Sequence, residues 1–262
     1  MMADLPNPVA SENELPLTLP DVSALPAINL DEAARERPSM AGFSRSDARS
    51  RAFSLLRTQL MKRMSRDGTR LVGITSATPH AGKSFLSLNL AGGLARVAEG
   101  PVYLFDFDFR RPSIAAALGI DAESGLVDYL EGRIDDLQSV GRRVEGSNLA
   151  VYLTREASDN SAELLAGRRF PQLISAMRAA PANALILCDL PPVLAGDDAM
   201  LAVAHLDAYV LVVDNGITNE RQVTEATRLL SPAACLGSVL NRYTGGLASG
   251  YGYGYGYGKS EG

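Results

Sequence analysis

Apolar residues fall into two kinds of run along this chain. Leu71–Ser76, Val102–Phe105, Leu149–Leu153, Ala184–Cys188, Ala208–Val213 and Ser238–Leu240 are short and continuous, the mark of strands buried on both faces. Between them, Ser84–Val97, Glu163–Ala179 and Glu220–Leu230 carry apolar positions at helical spacing; in the first these are Phe85, Leu88, Leu90, Ala91 and Leu94. An earlier stretch opens at Ser46-Asp47-Ala48-Arg49. It mixes apolar Ala52, Phe53, Leu55, Leu56, Leu60 and Met61 with basic Arg49, Arg51, Arg57, Lys62 and Arg63, which predicts an amphipathic helix over 46–66. Strand, glycine-containing turn and helix in repetition predict a three-layer α/β fold around a mainly parallel sheet.

Composition divides the chain. Residues 1–34 hold six acids, no Lys or Arg, and prolines at 6, 8, 16, 20 and 26, so residues 1–44 read as a disordered, acidic, Pro-rich arm: an inert linker, or a docking segment that seats its leucines on a partner. Residues 35–70 invert the balance with ten Lys/Arg, and the helix's basic face suits solvent, anionic lipid or an acidic neighbour. Gly250–Gly258 alternates Gly with Tyr251, Tyr253, Tyr255 and Tyr257, so 246–262 reads as a flexible tail and 45–245 as the folded domain.

The net charge of −5 argues against coating nucleic acid by bulk positive potential. Cys188 and Cys235 form neither a disulfide framework nor a metal pattern, which suits a reducing cytoplasm. No run approaches the ~20 apolar residues needed to cross a bilayer. The N-terminus lacks a signal-peptide pattern, so a partner is expected to provide any membrane association.

Chemistry concentrates at three strand ends. The strand ending at Ser76 runs into Ala77-Thr78-Pro79-His80-Ala81-Gly82-Lys83-Ser84 and a helix that begins with Phe85, a P-loop in which Ala77 replaces the first glycine. Backbone N–H groups there cradle phosphate oxygens, Lys83 neutralises β/γ-phosphates, and the Ser84 hydroxyl suits Mg²⁺. The next strand ends in Asp106-Phe107-Asp108-Phe109-Arg110, whose carboxylates project to one side, one suited to Mg²⁺ and the other to an attacking hydroxyl. Strand-capping aspartates would look the same. A third apolar strand ends in Asp189-Leu190-Pro191-Pro192, the Walker B form. Cys188 beside it reads as a small buried residue.

Ala77–Ser84, FDFDFRRP at 105–112, LILCDLPP at 185–192 and the Tyr-Gly tail together resemble the bacterial tyrosine kinases that govern exopolysaccharide and capsule export. SGLVDYLEGR at 124–133, AELLAGRRF at 162–170 and VLAGDDAM at 193–200 extend the resemblance, which covers about residues 50–258. It implies a P-loop NTPase fold and an ATP- and Mg²⁺-dependent autokinase. Lys83 and Ser84 would hold phosphates and metal, Asp106 would activate the tyrosine hydroxyl, and Asp108 and Asp189 would serve the metal. Asn241-Arg242 would contact adenine, and Tyr251, Tyr253, Tyr255 and Tyr257 would accept phosphate. Implied partners are a transmembrane polysaccharide co-polymerase of the chain-length-determinant class as activator, a protein tyrosine phosphatase, and further copies of the chain, with a place at the inner face of the plasma membrane. Two departures stand out. His80 replaces a family glycine, and the Glu-x-x-Arg-x-x-Arg pattern of ring-forming members reads Arg51, Ser54, Arg57 here.

Two other functions suit a P-loop. A regulatory ATP switch of a polysaccharide exporter would bind ATP without transferring phosphate to tyrosine, but leaves the four tail tyrosines without a use. A positioning ATPase lacks need for the Asp106/Asp108 pair.

Overall fold

The structure, a computed structural model, describes residues 17–30, 34, 37–43 and 50–243. Its strands are β1 (Ala27–Ile28), β2 (Leu71–Ser76), β3 (Val102–Asp106), β4 (Gly141–Val144), β5 (Leu149–Tyr152), β6 (Leu185–Asp189), β7 (Ala208–Asp214) and β8 (Ala234–Asn241). They form one sheet in the order β1-β4-β5-β3-β6-β2-β7-β8. Every neighbouring pair is parallel except β4 with β5. The expected three-layer α/β architecture is present.

Alternation along the strands supplies two cores. Tyr103, Phe105, Ile186, Cys188, Tyr209 and Leu211 pack on one face against Phe170, Leu173 and Met177 of α7 (Arg169–Arg178). Val72, Ile74, Leu104, Leu187, Val210 and Val212 pack on the other against α1 (Ser50–Asp67) and α2 (Lys83–Ala95), through Phe53, Leu60, Met64, Leu86, Leu90 and Leu94. Leu55, on the expected apolar stripe of α1, is 64% exposed instead. The basic face of α1 is partly turned to the protein: the Arg57 guanidinium donates to Gly93 O at 3.2 Å, and Arg63 donates to Leu236 O.

Short helices α3 (Ile114–Leu118), α4 (Leu126–Leu130), α5 (Leu137–Val140), α6 (Ser161–Ala166) and α8 (Asp198–Val203) fill the connections, and α9 (Glu220–Leu229) precedes β8. The single helix expected over Glu163–Ala179 is two, because Gly167 is extended and Pro171 falls in the first turn of α7, where its missing N–H is harmless. The arm expected over 1–44 is corrected for its described part. Val22, Leu25 and Leu30 are buried, and β1 pairs with β4 through Arg143 N–H to Pro26 O and Glu145 N–H to Ile28 O, both at 2.9 Å. Prolines stop a helix but leave an extended segment free to lie along a sheet edge.

Candidate active site

The site stands at the C-terminal ends of the parallel strands, with the P-loop at the end of β2. Gly82 has φ 90°, and a Cβ there would run into the Asn241 amide, so this glycine is required twice over. His80 takes the left-handed conformation at φ 63°, one that a glycine adopts at less cost. Ala77 is fully buried and is not among the positive-φ residues, so an alanine fits where a glycine is usual. Leu194 N–H donates to Ala77 O at 3.0 Å, tying the segment after β6 to the loop. Thr78 Oγ1 is buried without a partner, and Phe85, in the first turn of α2, packs edge-on against Phe53 with centroids 5.6 Å apart.

Lys83 meets the acids. Its Nζ lies 2.6 Å from Asp108 Oδ2, 3.6 Å from Asp189 Oδ2 and 3.2 Å from Ser84 Oγ. Burial alone would push the ammonium's pKa down, but Asp189, Asp108 and Asp106 outweigh it and hold the pKa up. Asp189 Oδ1 accepts from Ser87 Oγ at 2.9 Å. Its Oδ2 is buried without a hydrogen-bond donor, an acceptor left open for a metal or its water.

The run Phe105–Phe109 shows how sequence alternation builds the site. Phe105, Phe107 and Phe109 enter the core, with Phe105 to Phe107 at 5.6 Å and Phe107 to Phe109 at 5.9 Å between ring centroids. Asp106 and Asp108 are thereby turned towards the P-loop, and Asp106 stands in register with Asp189. The two carboxylates differ in surroundings. Asp106 is fully buried and accepts from Asp108 N–H at 3.3 Å, Ser113 N–H at 3.3 Å and Ile114 N–H at 3.2 Å. Burial first, then the charge of Asp189, pushes its pKa well up. Asp108 lines a cleft of about 170 Å³ with Pro79, Arg110, Arg111, Pro191 and Pro192.

The structure adds residues that the motifs did not show. Arg110 Nε donates to Asp198 Oδ2 at 2.7 Å and to Ser161 Oγ at 2.8 Å, and Ser161 Oγ donates to Asp198 Oδ2 at 2.8 Å. Asp198 is only 2% exposed, so this cluster fixes Arg110 at the cleft. Ser87 lies one helical turn beyond Lys83, a spacing that offered a signal; Asp198 and Ser161 offered none. Asn241 reaches the loop, with Nδ2 donating to Ala81 O at 2.8 Å, whereas the Arg242 side chain pairs with Asp214. The four tail tyrosines lie outside the described residues.

Among the described residues no three His, Cys, Asp or Glu side chains enclose a metal. Ser84 with the open Asp189 oxygen still suits Mg²⁺, which keeps several waters and takes few protein ligands.

A strand, a phosphate loop and a helix, with acids at the ends of the two strands to one side, define a P-loop NTPase. No protein-family model matches the chain. It is 33% identical over 175 residues to the tyrosine-protein kinase YwqD of Bacillus subtilis, covering 65% of this chain and 71% of YwqD. It is 30% identical over 206 residues to the tyrosine-protein kinase Etk of Escherichia coli, covering 78% of this chain but 28% of Etk. The solved kinase domain of Escherichia coli Etk superposes with a TM-score of 0.72 at 28% identity, covering 88% of this chain and 94% of that domain. The chain belongs to the family of bacterial tyrosine-protein kinases. It spans under a third of Etk's length.

Proposed function

We propose that the chain is an ATP-dependent protein-tyrosine kinase that phosphorylates its own C-terminal tyrosines and so regulates the polymerisation and export of an exopolysaccharide or capsular polysaccharide. The observation that carries the reading is the cleft beside the P-loop, lined by Asp108, Arg110 and Arg111, in which Asp108 is also paired with Lys83.

In this reading the P-loop backbone and Lys83 hold the nucleotide's phosphates, with Ser84 and Asp189 serving Mg²⁺. Mg²⁺, when bound, neutralises phosphate charge. A tyrosine side chain entering between Pro191-Pro192 and Arg110-Arg111 brings its hydroxyl to Asp108, which accepts the proton. The phenolic oxygen bonds to the γ-phosphorus as the bond to the β–γ bridging oxygen breaks, leaving ADP. In this reading hydroxyl activation moves from Asp106 to Asp108 because Asp108 lines the cleft, although it is 2% exposed, paired with Lys83 through Oδ2 and accepting from Arg111 N–H at 3.0 Å through Oδ1. Asp106 does not line it and accepts from the N–H groups of Ser113 and Ile114. Asp106 instead holds the Asp108 backbone and the start of α3 in place.

Among the described residues no helix is long and apolar enough to cross a membrane. A transmembrane co-polymerase of the chain-length-determinant class, acting as activator at the inner face of the plasma membrane, a tyrosine phosphatase and further copies of the chain complete the proposed setting. The test is label transfer from radioactive ATP with Mg²⁺. Wild type is expected to label itself, and Lys83→Ala, Asp108→Asn and a chain ending at Ser249 are expected to lose label. No label in wild type, with an activator fragment added, overturns the kinase reading.

A further inference from the structure

The geometry points to the exposed face of α1 as a binding surface for the phosphorylated tyrosine tail of the same chain. The inference rests on the tail phosphorylation of the reading above. Helix α1 buries Phe53, Leu60 and Met64, and its five cations divide by direction. Arg57 and Arg63 reach back to Gly93 O and Leu236 O. Arg51, Lys62 and Arg66 instead fall on one line with Leu55, because steps of four, seven and four residues return to the same side of a helix, and all four are exposed. Asp67, the one acid of Ser50–Asp67, lies off that line and pairs with Arg66 at 2.7 Å in an exposed contact of little strength. The strip is about 22 Å long from Arg51 to Arg66, with Lys62 and Arg66 about 6 Å apart.

Spacing, charge and reach name the occupant. Tyrosine alternates with glycine over Gly250–Gly258, so in an extended conformation Tyr251, Tyr253, Tyr255 and Tyr257 project from one side, about 6.6 Å apart and about 20 Å in all. Each phosphate carries about −1.5 to −2 charges and pairs with Lys or Arg. Four phosphates in line thus match the cations in length and interval, and their rings can cover Leu55. The described chain ends at Tyr243, close to the start of α1: Asn241 Nδ2 donates to Ala81 O at 2.8 Å, and Phe85, in the helix turn that follows, packs on Phe53. Tyr251 comes eight residues after Tyr243, a reach of up to about 26 Å against a helix thickness of about 10–12 Å. Anionic lipid suits the strip less well. A helix lying in a membrane surface needs a broad apolar face, and Leu55 is the only large apolar side chain on this one.

Fluorescence anisotropy with a synthetic Gly250–Gly258 peptide bearing four phosphotyrosines tests this. The protein is the full chain, treated with a tyrosine phosphatase to clear its own tail and held with Mg²⁺ and ADP to occupy the phosphate loop. The phosphopeptide is expected to bind at least about tenfold tighter than the unphosphorylated peptide. A Lys62→Gln/Arg66→Gln protein, changed only at exposed positions, is expected to lose at least about tenfold in that affinity. Arg221→Gln/Arg228→Gln, on α9 across the sheet, is expected to stay within about threefold of wild type. Equal losses from the two pairs would reduce the effect to bulk charge and overturn the inference, as would equal binding of the two peptides. So would a peptide with Glu for each phosphotyrosine that binds as tightly, which gives the strip to acidic segments in general. Vesicles of phosphatidylglycerol bound through the strip without binding of the phosphopeptide would give it to a membrane instead. Because the peptide arrives already phosphorylated, the result stands whether or not the chain labels itself from ATP; absence of that label is the failure of the kinase reading alone.

Discussion

Two loop residues place opposite demands on the same few ångströms of backbone. His80 holds φ 63° despite its Cβ, so His80→Gly is expected to raise stability by up to about 1 kcal/mol, read as a higher denaturant midpoint. Its ATP affinity should stay within about threefold of wild type, because the backbone N–H groups that bind phosphate keep their place. A fall beyond that would give the imidazole a direct part in binding. Gly82→Ala is the reverse case: φ 90° and the Asn241 amide both exclude a Cβ, and calorimetry should show at least about a tenfold loss of ATP affinity. The P-loop, Asp106, Asp108 and Asp189 were legible in the sequence because each sits in a short run whose alternation or spacing carries its chemistry. Asp198 and Ser161 were not, since they meet Arg110 only after separate connections fold together. The different partners of Asp106 and Asp108 were equally hidden, because the N–H groups of Ser113 and Ile114 reach Asp106 only once α3 has formed.

Among the elements, the central strands were readable and the edge was not. β2, β3, β6 and β7 are continuous apolar runs, whereas β4 reads Gly-Arg-Arg-Val and β1 is a two-residue strand in a proline-rich segment. Such strands exist because a neighbour fixes them. Leu25 shows the strength of that docking: it is 2% exposed, lies against Gly141 and belongs to the same core as Tyr152. Leu25→Ala is expected to destabilise the protein by about 2–4 kcal/mol in chemical denaturation. A loss under about 0.5 kcal/mol, the range of ordinary surface changes, would mean that this segment does not contribute to the fold. On the opposite side of the sheet's base, Asp207 joins three elements. Its Oδ2 accepts from Arg70 N–H at 2.9 Å and Leu71 N–H at 3.0 Å, and Oδ1 pairs with Arg178 at 2.9 Å. Burial would raise its pKa, but these donors outweigh burial and hold it below the usual carboxylate range. A lowered folded-state pKa stabilises above the unfolded value of about 3.9 and is lost as pH falls through the folded value. The stability gap between wild type and Asp207→Asn should therefore be full above about pH 5 and close towards pH 3 and below. A gap that is independent of pH would contradict the charged contact.

For the molecule as a whole, the modest net charge of −5 averages an acidic start, a basic stretch, an acidic domain and a neutral tyrosine tail. The described chain ends at Tyr243, just past the edge strand β8. Four phosphates on Tyr251, Tyr253, Tyr255 and Tyr257 would add about −6 to −8, more than doubling the negative charge. Copies that exchange tails would then repel one another. At about 10 mM salt the Debye length is about 30 Å, comparable with a domain, and at about 1 M it is about 3 Å, so the repulsion should act in the first condition and vanish in the second. Sedimentation equilibrium is expected to show phosphorylated protein less associated than unphosphorylated protein at low salt, with the two converging at high salt. A chain ending at Ser249 should sediment alike before and after incubation with ATP. If phosphorylated and unphosphorylated full-length protein sediment identically at low salt, charge repulsion does not control assembly, and any effect of the tail must come from a partner that recognises phosphotyrosine.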